Sequence, residues 1–333
     1  FKEVVELHKN QFFEILPDFK VMCEHFEEGD SWICFKTPEQ TILNVNDCGI
    51  ANKSDLDAIL AKTGPIDVLM TQFSYAFWAG NPDEVELRQQ MADDKLKLVK
   101  SQIDALHPKV TIPMASFVYF CHKDNRYLND RINTAEKTYN FIKENTTSEP
   151  VVLYNNEEYE FPEKHDSNAS INKYKADLQK ILADDTAFIT KYETVDKPVL
   201  NSEASRFIDD LNKTNSLPLK SALKPTYIYI PDYDETYVLS LKGFKPVTEP
   251  HPVPDVELSS ELLFWCFKYP FGLDTVQIGG RFRKPRKGNY TAFYNFFRIN
   301  HLKMRGIDPN APGTIAGVLV RKITTKIGLN KNR

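Results

Sequence analysis

At 333 residues, the chain is long enough for about two domains, each with its own core, and its 41% apolar and 26% charged content excludes a disordered or fibrous class. No apolar run approaches the roughly 18–20 residues that cross a bilayer, and no signal-peptide pattern opens the chain. Charge is uneven: residues 271–333 hold 13 Lys/Arg and two Asp/Glu, a net of +11, so with −4 overall the first 270 residues carry −15.

The chain starts at Phe1 without a methionine and enters directly into a helix-like stretch over 2–16. That start is read as the downstream part of a longer polypeptide. Residues 21–26, 31–36 and 41–45 are short strand candidates, separated by Glu27-Glu28-Gly29-Asp30 and Thr37-Pro38-Glu39-Gln40. These turns predict an antiparallel meander. The third strand ends in Asn44, Asn46, Asp47 and Gly49. A buried strand stopping in carboxylate and amide oxygens either makes an Asx turn or aims polar groups into a cleft.

After Asp47 the rhythm becomes strand and helix in alternation. A helix is expected over 54–62, with Ser54 as N-cap, then a strand at 66–71 and a polar, aromatic loop at 72–80. A long amphipathic helix runs from 81–83 to about 106, with Leu87, Met91, Leu98, Ile103 and Leu106 on its apolar face. A strand at 110–112, a loop at 113–125 and a helix over 133–144 follow. Such alternation gives an α/β fold with parallel pairing, and ligands sit at the carboxyl ends of parallel strands. The loops at 46–50, 72–80 and 113–125 therefore share a candidate edge.

Composition shifts near residue 155. The reading is a loop at 155–168, helices at 170–182 and 202–211, a linker at 217–225, a hairpin at 226–241, a helix at 258–267 and an aromatic helix at 290–304. Three segments result: 1–155, a helical and linker region 156–225, and a basic α+β domain 226–333. The five cysteines, 23, 34, 48, 121 and 266, are odd in number and scattered, which argues for a reducing, cytoplasmic setting over a disulfide framework. No paired Cys/His spacing suggests structural zinc.

The wording GDSWICFKTPEQTILNVNDCGI at 29–50, GPIDVLMTQFSYAFWAG at 64–80 and VTIPMASFVYFCH at 110–122 resembles the second half of a metallo-β-lactamase-fold hydrolase. The nearest branch in wording holds lactonase-like proteins and the CMP-N-acetylneuraminate hydroxylase. The resemblance covers about residues 20–155. It implies half of an αββα sandwich, followed here by a smaller α+β domain, and a divalent metal, zinc or iron. It places Asp47 at the strand-end aspartate that bridges two metals in that family, where metal-bound water becomes a nucleophile. The family's HxHxDH signature is absent, the seven histidines are isolated from one another, and Ala115 stands where the family's last histidine would fall. A segment upstream of Phe1 is expected to complete the site.

The remaining site residues are weighed against plainer roles. His122 is a candidate metal ligand or proton shuttle, or a hydrogen-bonded loop histidine. Ser74 and Tyr75 are candidate substrate contacts, or part of aromatic packing over a sheet edge. Cys48 is a ligand or a small buried filler. Asp30 shapes a turn or orients a ligand. In the tail, Arg281, Arg283, Lys284, Arg286 and Lys287 precede Tyr290, Phe293, Tyr294, Phe296 and Phe297. Cations among aromatics suit a phosphorylated ligand or single-stranded nucleic acid, or else a helix core with a solvated face. No nucleic-acid-binding motif accompanies the charge, so nucleic acid is disfavoured. Docking of the basic tail on the acidic body, within one molecule or in a homo-oligomer, is the remaining reading.

The expected function is a metal-dependent hydrolase of a small anionic substrate derived from a sugar or nucleotide. The alternatives are a non-catalytic binding or assembly module that kept the fold, and an iron-dependent oxygenase-like component, although the chain lacks Rieske ligands.

Overall fold

The computed structural model describes residues 4–26, 30–184, 193–248, 253–304 and 306–314, apart from the side chain of His301. The chain divides into two compact units, Phe1–Cys121 with Arg126–Ile189, and His122–Asn125 with Thr190–Arg333.

The first unit is the expected α/β layer structure. Strands β1 (Phe13–Leu16), β2 (Phe19–Phe26), β3 (Asp30–Lys36) and β4 (Thr41–Asn46) are followed by α1 (Lys53–Thr63), β5 (Val68–Gln72), α2 (Val85–Leu106), β6 (Val110–Met114), α3 (Ala135–Asn145), β7 (Glu149–Pro150) and α4 (Ser167–Ala183). The seven strands form one sheet in chain order. β1 to β4 pair antiparallel. β4 to β7 pair in parallel, because a helix or longer crossover lies between successive strands.

Alternation along the strands decides which face meets the helices. Trp32 and Cys34 of β3, Leu43 and Val45 of β4 and Leu69 of β5 are buried against Leu56 and Ile59 of α1, Val99, Ile103 and Leu106 of α2, and Ile142 of α3. On the other face, Ile33, Phe35, Ile42 and Met70 are only half-buried. There Ile42 and Met70 pack with the buried Val68, Val110, Ile112 and Val151, so one face carries the helix layer and the other a smaller apolar cluster.

Two expectations are corrected, and a third is not tested. Residues 13–16 form an edge strand and not the end of a helix: FEIL pairs with β2 and is exposed along its length. The long helix buries Ala92, Leu96, Val99, Ile103 and Leu106, a stripe turned away from the expected one, so Leu87 is 40% exposed. The expected turn at 27–30 lies mostly outside the described residues.

The second unit is α+β. It contains α5 (Lys197–Thr214), α6 (Leu217–Ala222), β8 (Thr226–Ile230), β9 (Glu235–Ser240), β10 (Gly243–Pro246), β11 (Val256–Glu257), α7 (Ser260–Lys268), α8 (Gly272–Gly279) and α9 (Tyr290–Met304). The supposed linker at 217–225 begins with α6, whose Ser216 and Pro218 are ordinary helix-start residues. β8 and β9 form the expected hairpin in a sheet ordered β10-β9-β8-β11. Phe207 of α5, Phe267 of α7 and Phe297 of α9 pack together, with ring centroids 4.9–5.7 Å apart. Phe293 and Phe296 are also buried. The aromatics of the basic segment are therefore core, while Arg305 and residues 315–333 lie outside the described residues.

One buried cation shapes the first unit. Arg88 of α2 is 1% exposed. It donates to both carboxylate oxygens of Asp130 at 2.7 Å and to the carbonyls of Asn81 and Pro82, with Tyr127 stacked 5.0 Å from the guanidinium. A paired, fully hydrogen-bonded arginine is tolerated inside, whereas a lone buried charge is not. Arg88→Met should therefore destabilise by about 3 kcal/mol in urea unfolding. A loss below about 1 kcal/mol, the range of an exposed ion pair, would mean that the pair is effectively solvated.

Candidate functional site

The parallel pairing of β4, β5 and β6 brings their carboxyl ends to one edge, in register from Ile42↔Val68↔Val110 to Thr71↔Pro113 and Gln72↔Met114. β3 runs the other way, so its first residue, Asp30, reaches the same edge. Asn46 and Ala115, just where β4 and β6 end, both adopt positive φ, 48° and 57°. Left-handed backbone at non-glycine residues is costly and clusters at functional sites. Here it turns the chain sharply after β4 and after β6.

Asp47 projects from this rim and is exposed. Its Oδ1 accepts from Asn46 Nδ2 at 2.6 Å, while Asn44 Oδ1 accepts from Asn46 N at 2.8 Å. Cys48, next along, is 2% exposed. Burial, reinforced by the Asp30 and Asp47 carboxylates, pushes its thiol up to about 12. With no cation beside it among the described residues, Cys48 is therefore a buried, protonated thiol near pH 7.

Lys95 was not singled out from the sequence. It enters from α2, and its Nζ donates a hydrogen bond to Gln72 Oε1, whose Nε2 faces the Ala115 carbonyl at 3.5 Å. Burial lowers the pKa of the Lys95 ammonium, and the negative charges of Asp47 and Asp30 oppose that shift. One half-buried cation and two carboxylates thus act on each other at this edge. The sequence signal was present: Lys95 is three residues after Ala92 and four before Val99, on the stripe that faces the sheet.

Ser74 and Tyr75 are fully buried. Ser74 Oγ accepts from Asn133 N at 2.9 Å, and Ser116 Oγ accepts from Ser74 N at 3.0 Å while donating to the Ser74 carbonyl at 3.1 Å. Tyr75 OH donates to the Leu128 carbonyl at 2.6 Å, and burial raises its pKa. Asn133 Nδ2 donates to the carbonyls of Phe73 and Ala92. The loop after β5 is thereby pinned to the loop after β6. In this arrangement Ser74 and Tyr75 fix the shape of the rim and offer no polar atom outward.

His122 belongs to the second unit, whereas Asp47 belongs to the first. The His122 ring is 4% exposed by residue and its Nδ1 accepts from Asp124 N at 3.1 Å. Around it, Asn125 Nδ2 donates to the Gly279 carbonyl and Arg283 to the Asp124 carbonyl. Burial, with Arg281 nearby, lowers its pKa.

The solved structures that this chain is similar to include a variant of CmlA β-hydroxylase and CmlA, a diiron β-hydroxylase from Streptomyces venezuelae. No family model and no curated protein matches. The first is 12% identical with a TM-score of 0.30, covering 45% of this chain and 32% of that one; the second is 13% identical with a TM-score of 0.29, covering 45% and 34%. The chain thus spans about a third of the length of each. No family model matches, nor does any curated protein.

Among the described residues, no three His, Cys, Asp or Glu side chains gather into a group that could hold a metal ion. The edge offers two carboxylates, a protonated thiol and an ammonium. These residues do not by themselves fit a metal centre, which needs at least three or four donors. The state of Cys48 is directly measurable. Thiol labelling at pH 8 should modify Cys121, the exposed cysteine, and spare Cys48, whose reactivity should rise only as pH nears about 12. Rapid labelling of Cys48 at pH 8 in the folded protein would show a thiolate there.

Proposed function

We propose that the first unit supplies the carboxylate side of a metal-dependent enzyme site of the metallo-β-lactamase superfamily, and that the enzyme is an iron-dependent oxygenase and not a zinc hydrolase. The supporting observation is the convergence of Asp30 and Asp47 on one strand-end edge, beside the left-handed turn at Asn46. Zinc sites are built mainly from imidazole nitrogen and thiolate sulfur. This edge supplies carboxylate oxygen and no imidazole, a donor balance closer to that of carboxylate-rich iron sites. Ile42 and Met70 are packed into an apolar cluster with Val68, Val110 and Val151, whereas Ile33 and Phe35 stay half-buried, and a polypeptide laid against those two would bring the missing nitrogen ligands. In this proposal Asp47 is the metal ligand, Ser74 and Tyr75 are positioning residues, and His122 is assigned to the second unit.

A second reading has an observation of its own. Lys95 already places a positive charge by the carboxylates, so a module that kept the fold without metal would be electrostatically self-sufficient.

Elemental analysis separates these readings, using protein that includes any polypeptide encoded upstream. The oxygenase reading expects about two iron ions per chain, the number a bridging carboxylate implies, and their loss in a folded Asp47→Ala variant. Zinc in place of iron would return the hydrolase. A protein that binds neither would be the module.

A further inference from the structure

α7 and the turn into α8 carry an aromatic run that the core of the second unit does not take up. Trp265, Lys268, Tyr269, Pro270 and Phe271 are all exposed, and the three aromatics keep 43%, 45% and 42% of their surface in the order Trp265, Tyr269, Phe271. The Trp265 and Tyr269 rings, one helical turn apart, have centroids 5.3 Å from each other. Lys268 Nζ lies 4.9 Å from the Phe264 ring centroid and 5.5 Å from that of Tyr269, so ammonium and aromatics share one patch. Gly272 sets its outline. A Cβ there would meet the Trp265 carbonyl oxygen at 2.0 Å, so only glycine lets the turn fold back onto α7. On α8, Phe271 and Ile278 are seven residues apart and so on one face, and Ile278 is exposed as well.

The charge beside this patch is mostly of one sign. Residues 264–287 hold Lys268, Arg281, Arg283, Lys284, Arg286 and Lys287 against Asp274 alone, a net of +5. Glu261, one turn before Trp265, is paired with Arg281 at 3.1 Å, which also anchors the basic stretch to α7. Clustered aromatics on a chain's outside mark a contact surface. We propose that this patch docks on an anionic membrane surface. Trp265, Tyr269 and Phe271 enter at headgroup level, and Lys268 with the basic stretch meets the lipid phosphates. Tryptophan and tyrosine are apolar in body and polar at one end, which suits the boundary between acyl chains and water. Flanking cations add attraction to anionic headgroups, which a protein groove would supply only with a matching acidic rim. Among the described residues no helix is long and apolar enough to cross a bilayer, so the contact is with one leaflet. The surface lies in the second unit and is independent of the metal reading.

The test is co-sedimentation of the full chain with vesicles of phosphatidylcholine containing about 30% phosphatidylserine, beside vesicles of phosphatidylcholine alone, with tryptophan emission read on the same samples. Trp32 is buried and Trp78 half-buried, so a blue shift on binding reports Trp265. Wild type is expected to bind the anionic vesicles about tenfold more tightly than the neutral ones, with binding that weakens as salt rises. Trp265→Ala and Phe271→Ser should each weaken binding about tenfold, and Lys268→Gln about fivefold. Leu217→Ser, which removes an exposed apolar side chain outside the patch, should leave binding unchanged. Unfolding curves show which variants are folded, and either aromatic variant decides if the other is not. Equal binding to both vesicles, no binding by wild type, or full binding by a folded aromatic variant overturns the proposal. Self-association that Trp265→Ala abolishes, in a chain that ignores vesicles, overturns it too and gives the patch to a second copy.

Discussion

Parallel pairing of β4, β5 and β6 is the constraint on which the rest of the first unit depends. Parallel strands need crossovers, and here the crossovers are α1, a loop and α2, which lay their apolar stripes on one face of the sheet. The same pairing leaves three strand ends pointing one way, with the loops that follow them side by side. Antiparallel pairing of β3 with β4 then adds Asp30 to that edge from the opposite chain direction. The polar rim is thus a consequence of topology and needs no local motif.

What fixes the rim is a set of buried polar contacts and not the candidate ligands themselves. Ser116 and Asn133 tie the loop after β5 to its neighbours. Arg88 and Asp130 clamp the start of α2. These groups are hydrogen-bonded because burial leaves them no water to turn to. Among the described residues, the exposed Asp47 carboxylate is held by Asn46 alone. Rigid support behind a projecting carboxylate is the arrangement that a ligand site requires.

Much of this was legible in the sequence. Turn residues separated β2, β3 and β4, and the apolar runs at 66–71 and 110–112 gave the buried strands. The N-D-C strand end marked the edge. Residues 13–16 were misread because an edge strand exposed on both faces buries nothing and leaves no alternating signature. The face of α2 was misplaced because large residues such as Leu87 drew attention, while the true stripe includes Arg88, Ala92 and Gln102. Lys95 was missed for a related reason. A lysine in a helix is read as solvated, and only its three- and four-residue spacing from Ala92 and Val99 shows that it faces inward. His122 looked close to the site along the chain, but its four-residue segment is built into the other unit.

The central claim is that one edge of one sheet holds Lys95 and Asp47 close enough for their charges to interact. The most direct measurement is the pKa of the Lys95 ammonium, followed by NMR in metal-free wild type and in Asp47→Asn. The Asp47 charge favours the protonated amine and opposes the lowering due to burial. Its removal should therefore depress the Lys95 pKa further. An unchanged Lys95 titration in the folded variant would contradict the account.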